Sequence, residues 1–191
     1  MRVTSLHKED EKHIVQAAKL LVEGFKDNWP EAWPNLESAL EEVYQCLNPD
    51  RICRIALDEA DDLVGWIGGI SQYNGNVWEL HPLIVAPSHR NKGIGTLLVK
   101  DLEEQVKQRK GITIWLGTDD ENGMTSLSDV DLYDDLFGKV RDIQNIKGHP
   151  YTFYMKLGFQ IIGVMPDANG LGKPDILMGK RVVDWPETGR R

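Results

Sequence analysis

The sequence predicts a layered fold of the mixed α/β class, and three observations carry that prediction. Its 191 residues, 41% hydrophobic and 27% charged, suit one domain with a sizeable core. Stretches of strand and helix periodicity follow one another in the order β-α-α-β-β-β-α-β-α-β-β. At the centre, Val77 to Val106 joins an apolar strand, a basic glycine turn and an amphipathic helix.

Taken in order, Val3 to Leu6 forms a short strand, and a helix follows from Lys8 to Phe25. Its core face carries Ile14, Ala17, Ala18, Leu21, Val22 and Phe25. The loop Asn28-Trp29-Pro30-Glu31-Ala32-Trp33-Pro34 breaks that helix. Asn35 caps the next, in which Leu36, Ala39, Leu40, Val43 and Leu47 keep helical spacing. Ile52 to Leu57 and Leu63 to Tyr73 pair as antiparallel strands around the acidic turn Asp58 to Asp62. Asn74-Gly75-Asn76 turns the chain into Val77 to Val85, a strand interrupted by Pro82. A proline donates no ladder hydrogen bond, so the strand must bulge or splay there. The helix after it places Ile94, Leu97, Leu98, Leu102 and Val106 on one face.

Ile112 to Gly117 is the next strand, followed by a long insert from Thr118 to Gly148. Within the insert a helix is expected from near Ser128, with Tyr133, Leu136, Phe137, Val140 and Ile143 as its core face and Asp129 and Asp131 in its first turn. A short helix from Pro150 to Leu157 ends at Gly158. Two last strands, Phe159 to Met165 and Ile176 to Val183, flank the loop Pro166 to Pro174. Residues 1–183 form a single domain and 184–191 a tail.

The formal net charge of −8 argues against nucleic acid and anionic membrane as partners and fits a cationic ligand. No run is long enough to span a membrane, and the start carries no signal-peptide pattern. Cys46 and Cys53 lack His or Cys partners at metal spacing, so free buried thiols in a cytoplasmic protein, without a metal site, are expected.

Strand, basic glycine turn and helix together can hold phosphate. The first amides of a helix have no internal partner and sit at the positive end of its dipole. Gly93 and Gly95 lack a Cβ, so a diphosphate can come close to the backbone. A P-loop is excluded because Thr96-Leu97 follows Gly95, and a dinucleotide fingerprint because Leu98 stands where a third small residue is needed. Arg90-Asn91-Lys92-Gly93-Ile94-Gly95 resembles the signature of the GCN5-related N-acetyltransferase (GNAT) superfamily, and the element order resembles that fold from end to end. The resemblance implies a central mixed, mostly antiparallel sheet with helices on both faces, whose fourth and fifth strands splay apart. Acetyl-CoA, as cosubstrate, would enter between them. Its contacts would be Leu83, Ile84 and Val85 on the strand, then Arg90, Asn91, Lys92, Gly93, Ile94, Gly95 and Thr96.

Further segments resemble one branch of that family, the aminoglycoside 6′-N-acetyltransferases of the enterococcal type. They are Trp78 to Leu83, Ile114 to Asp120, His149-Pro150-Tyr151 with Phe153-Tyr154 and Leu157 to Phe159, and Asn169-Gly170 with Lys173 to Ile176. The resemblance implies a cationic small-molecule amine, an aminoglycoside, as acceptor, direct transfer through a ternary complex, and a homodimer. The N-terminal third resembles the branch less closely. Rival readings are acetylation of a polyamine, peptide or protein amine, or a CoA-binding sensor without turnover.

Acetyl transfer to an amine needs a proton acceptor, a donor for the thioester oxygen, a departing thiolate and aligned substrates. Glu79, acting through a water, is the first candidate for proton acceptor and His81 the second. Two apart, they share a face wherever the strand is regular. The Leu83 N–H, next to a proline without one, would polarise the thioester. Tyr154 stands where the family often has a tyrosine that protonates the thiolate, or else packs beside Phe153 and Phe159. Asp119 or Asp120, at the end of its strand, would bind an acceptor ammonium. Trp29 and Trp33 either stack on the acceptor or anchor their loop.

Overall fold

A computed structural model describes residues 1–26 and 29–186; Asn28 of the expected loop and residues 187–191 of the expected tail lie outside them. The described residues form seven strands and five α-helices of mixed α/β class. They divide into two compact units, Met1–Ile114 with the stretch from Val182, and Trp115–Arg181.

In the first unit, β1 (Arg2–Ser5), β2 (Arg51–Leu57), β3 (Leu63–Gln72) and β4 (Val77–Val85) pair in sequence order, all antiparallel. One face carries α1 (Glu11–Phe25) and α2 (Leu36–Cys46), whose Ile14, Ala17, Leu21, Ala39 and Val43 pack against Ile55, Trp66 and Ile84. Both helices start at side-chain caps. Asp10 accepts from the His13 N–H, which moves the start of α1 from Lys8 to Glu11, and Asn35 accepts from the Ser38 N–H at 3.0 Å. The other face carries α3 (Ile94–Gln108), which buries Ile94, Leu98, Val99, Leu102 and Val106. Leu97, expected on that face, is exposed. The buried stripe follows the four-residue steps from Ile94 to Val106, and Leu97 falls one step short of it.

Pro82 produces the expected bulge. Ile67 pairs with Leu83 and Gly69 with Leu80, so β4 carries one more residue than β3 between those pairs. The bulge inverts the facing of the strand. His81 lies beside Glu42 of α2, and Ile84, three residues on, also packs on the α1–α2 side. Regular alternation would place residues three apart on opposite faces. Gly68 sits opposite the bulge, where an added Cβ would meet the His81 carbonyl oxygen at 2.2 Å.

The chain enters the second unit along β5 (Thr113–Asp119). There β7 (Asp175–Arg181) lies between β5 and β6 (Gln160–Met165) and pairs antiparallel with β6. The helix expected from Ser128 is cut down to α4 (Leu136–Arg141), and its predicted core face is wrong: Tyr133 and Phe137 are 76% and 85% exposed. Leu127 and Leu132 are buried instead. Local aspartate bonding is the physical reason. Asp131 accepts from the Tyr133 N–H and Asp135 from the Gly138 N–H, while Asp129 and Asp135 adopt positive φ of 57° and 60°. Positive φ at Asp129 and the Asp131 turn keep the residues before Asp135 out of a helix, and Asp135 then caps α4 and starts it only at Leu136. The last helix, α5 (Tyr151–Lys156), presents Tyr154 to Phe159. Among the described residues, no helix is long and apolar enough to cross a membrane. Cys46 and Cys53 are free and buried.

Candidate active site

The expected site residues fall in both units, and the two groups are taken separately. On β4, Glu79 and His81 are half-buried, as expected for residues two apart before the bulge. Glu79 Oε2 accepts from Gln72 Nε2 at 2.7 Å. The His81 ring lies 5.9 Å from Trp33, and its Nε2 is 4.0 Å from Glu42 Oε1. Beyond the bulge, the register turns the Leu83 side chain to the face opposite His81. Trp29 and Trp33 both pack on Phe25, with centroids 5.8 and 4.7 Å away. That contact anchors their loop to α1, one of the two expected roles.

The phosphate-type turn has the geometry its residues predicted. A 3₁₀ turn, Pro87–His89, follows β4, and Arg90 Nε donates to the Val85 carbonyl. Asn91 and Gly93 take positive φ of 60° and 82°, and Gly93 caps α3. A Cβ at Gly93 would meet nothing within 4 Å, so the turn is open on that side. Arg90, Asn91, Lys92 and Gly93 are exposed, Gly95 and Thr96 half-buried. Ile94 is buried and fixes the helix start to the core. The first amides of α3, with Arg90 and Lys92 beside them, are the groups that could hold a diphosphate.

In the second unit, Asp119 and Asp120 part company. Asp120 is fully buried, and its carboxylate accepts from the Met124 N–H at 2.6 Å and the Thr125 N–H at 2.8 Å. Burial pushes its pKa up, but these bonds outweigh burial and hold it below the ordinary carboxylate value. A buried carboxylate so engaged is the keystone of the insert and is withdrawn from any acceptor. The ammonium expectation thus narrows to Asp119, which is half-buried and accepts from Asn169 Nδ2. Tyr154 is buried, and burial pushes its phenol well above the ordinary range, so it stays protonated.

Two residues with no assigned role also shape these groups. His149 is buried, with Nδ1 accepting from the Tyr151 N–H and Nε2 3.1 Å from the Asp119 carbonyl. That pattern selects the Nε2–H tautomer, and burial lowers its pKa. It ties the end of β5 to the start of α5. Glu42 is one of several acids on α2 and carried no signal in the sequence; only the fold brings it to His81. Among the described residues, no group of three His, Cys, Asp or Glu is placed to hold a metal.

The model of the acetyltransferase (GNAT) family matches residues 18–127. Among solved structures, an aminoglycoside 6′-N-acetyltransferase complexed with coenzyme A is 46% identical, covering 98% of this chain and 100% of its own, with a TM-score of 0.91. The aminoglycoside 6′-N-acetyltransferase from Enterococcus faecium is 44% identical with the same coverage and a TM-score of 0.89. An aminoglycoside 6′-acetyltransferase type Ii is 39% identical over 97% of this chain, with a TM-score of 0.73. A comparison with curated proteins returned no match.

Proposed function

We propose, from the premise that the chain belongs to the acetyltransferase (GNAT) family, that it moves the acetyl group of acetyl-CoA to the 6′-amine of an aminoglycoside. The transfer is direct, within a ternary complex. The observation that carries this reading is full-length likeness, at 46% and 44% identity, to two enzymes of that activity. The open turn over Gly93 supports the cosubstrate half of it.

The roles follow from the chain's own groups. Amides of Ile94, Gly95 and Thr96, with Arg90 and Lys92 beside them, hold the diphosphate. Backbone of Leu83, Ile84 and Val85 receives the pantetheine arm, and the Leu83 N–H, freed for this by the bulge at Pro82, meets the thioester oxygen. Asp119 binds an ammonium of the acceptor. Trp33, fixed on Phe25 and against His81, walls the acceptor side. Glu79 takes the amine proton through a water; a second reading gives the proton to His81, and the position of Glu42 favours it. Tyr154 donates a hydrogen bond to the departing thiolate. A thiolate whose pKa is about 8.5, by analogy with cysteine, leaves readily, and a phenol pushed upward gives its proton up less readily, so its contribution is modest.

Residues 1–183 act as one domain, as a homodimer in the cytoplasm, where free thiols such as Cys46 and Cys53 persist. An acceptor panel tests the reading. Thiol release from acetyl-CoA should be fast with kanamycin-type sugars and slow with spermidine and basic peptides. The reverse order assigns the enzyme to another amine, and CoA binding without any turnover assigns it to a sensor.

A further inference from the structure

Glu42 Oε1 is buried and has no hydrogen-bond partner among the described residues. An unpaired, desolvated carboxylate oxygen is costly, and such an atom is retained where a partner arrives at some stage of function. The group nearest to becoming that partner is His81 Nε2, at 4.0 Å, too long for a hydrogen bond. Closing the gap to a charge-assisted bond takes about 1 Å of side-chain movement.

The burial is ordered. Glu42 is 16% exposed and His81 42% exposed, so the acid stands behind the imidazole and the imidazole faces outward. The backbone of His81 is held by the bulge against Gly68, and its ring lies against Trp33. The other titratable groups near this face are Glu79, on the same strand and bonded to Gln72, and Cys46, one turn along α2. The Cys46 thiol is pushed up by its hydrogen bond with Cys53 and by burial, so it is neutral. Phe25 of α1, Trp33 and Gly68 of β3 bring no charge.

We infer that Glu42 is a positioning residue that acts through His81. Its carboxylate selects the Nε2–H tautomer and pairs with the imidazolium formed when Nδ1 accepts the proton of the acceptor amine. An N–H bond of the acceptor ammonium breaks and its electron pair stays on nitrogen. The neutral amine attacks the thioester carbon, the C–S bond breaks with its pair on sulfur, the thiolate takes up the second nitrogen proton, and the first proton leaves His81 for solvent after turnover. An orienting acid behind an outward-facing base is the arrangement that activates nucleophiles in other transferases and hydrolases. The inference rests on the second reading of the proton acceptor above, and it goes beyond it in naming the residue on α2 that makes His81 effective.

Glu42→Gln keeps shape and removes charge. In the full chain, with a kanamycin-type acceptor, the turnover number should fall roughly tenfold at neutral pH while the KM for acetyl-CoA holds. The acidic limb of the pH–rate profile should move to lower pH, because the imidazolium loses its counter-charge. In a His81→Ala background the same substitution should have no further effect. A profile that superimposes on the wild type, or an equal loss in both backgrounds, overturns the inference. Histidine NMR provides a readout independent of turnover. In ¹⁵N spectra the neutral His81 ring should favour the Nε2–H tautomer in the wild type and lose part of that preference in Glu42→Gln, with Glu42→Asp between them, and identical spectra overturn the pairing. If no acceptor supports turnover, the functional reading fails while the NMR comparison still decides the pairing.

Discussion

Gly68→Ala tests whether the bulge in β4 shapes the catalytic strand. A Cβ there would stand 2.2 Å from the His81 carbonyl oxygen and 3.1 Å from Cys46 Sγ. Carbon and oxygen make contact at about 3.3 Å, so the two backbones must part by roughly 1 Å. Neither neighbour is a flexible chain end. Overpacking of this kind costs about 1–3 kcal/mol, which for a chain of this length lowers Tm by roughly 3–9 °C. The displaced segment is His81-Pro82-Leu83, and an error of about 1 Å in groups that align substrates costs on the order of 10² in rate. Gly163→Ala is the control, since its Cβ would make only an ordinary contact with Leu177 Cδ1 at 3.7 Å. Calorimetry gives the first number and thiol release from acetyl-CoA the second. Native melting and native turnover in Gly68→Ala would refute the argument, because the strand would then tolerate a different path.

Gly93→Val puts a β-branched residue at φ of 82°, and calorimetry should find acetyl-CoA bound at least tenfold more weakly with the fold retained. Asp119→Asn should raise the acceptor KM and spare that of acetyl-CoA, whereas Asp120→Asn should cost about 1–3 kcal/mol of stability by mispairing the Met124 and Thr125 amides. The folded pKa of Asp120 is lowered, so its contribution is complete above the ordinary carboxylate value and is lost as pH falls through the folded one; melting curves of wild type and Asp120→Asn should therefore converge in acid. His13 behaves oppositely at its upper limit. Burial lowers its pKa, but bonds to Asp10 and the Asp61 carbonyl win and raise it above the ordinary 6.5. The penalty of His13→Ala should be full just below pH 6.5 and shrink as pH rises through the raised value. It should shrink again in acid, as Asp10 protonates below its ordinary 3.8.

What the sequence disclosed, and what it withheld, follows from the range of the interactions. Periodicity and caps are local, so α1, α2 and the strands up to β4 were legible, as was the Arg90–Thr96 turn, whose glycine and asparagine dictate its backbone. Pro82 announced a bulge because it lacks a donor. The inverted facing beyond it was not legible, since it depends on which residue of β3 stands opposite. The insert misled for a definite reason: the turn at Asp129 and Asp131 kept Tyr133 out of a helix, and the cap at Asp135 started one only at Leu136, with Phe137 on its exposed side. Asp119 and Asp120 looked alike as adjacent acids, and only burial separated them. Glu42 was hidden because its partner lies 39 residues away on another element.

The central claim is acetyl transfer to one amine of one class of sugar. The most direct measurement incubates the full chain with acetyl-CoA and a kanamycin-type aminoglycoside, then locates the new acetyl group by NMR of the isolated product. A single acetyl on the 6′-nitrogen, formed with one equivalent of free thiol, is the result expected. An acetyl on another nitrogen, or acetyl-CoA unchanged across the aminoglycosides while spermidine or a peptide is acetylated, would contradict it.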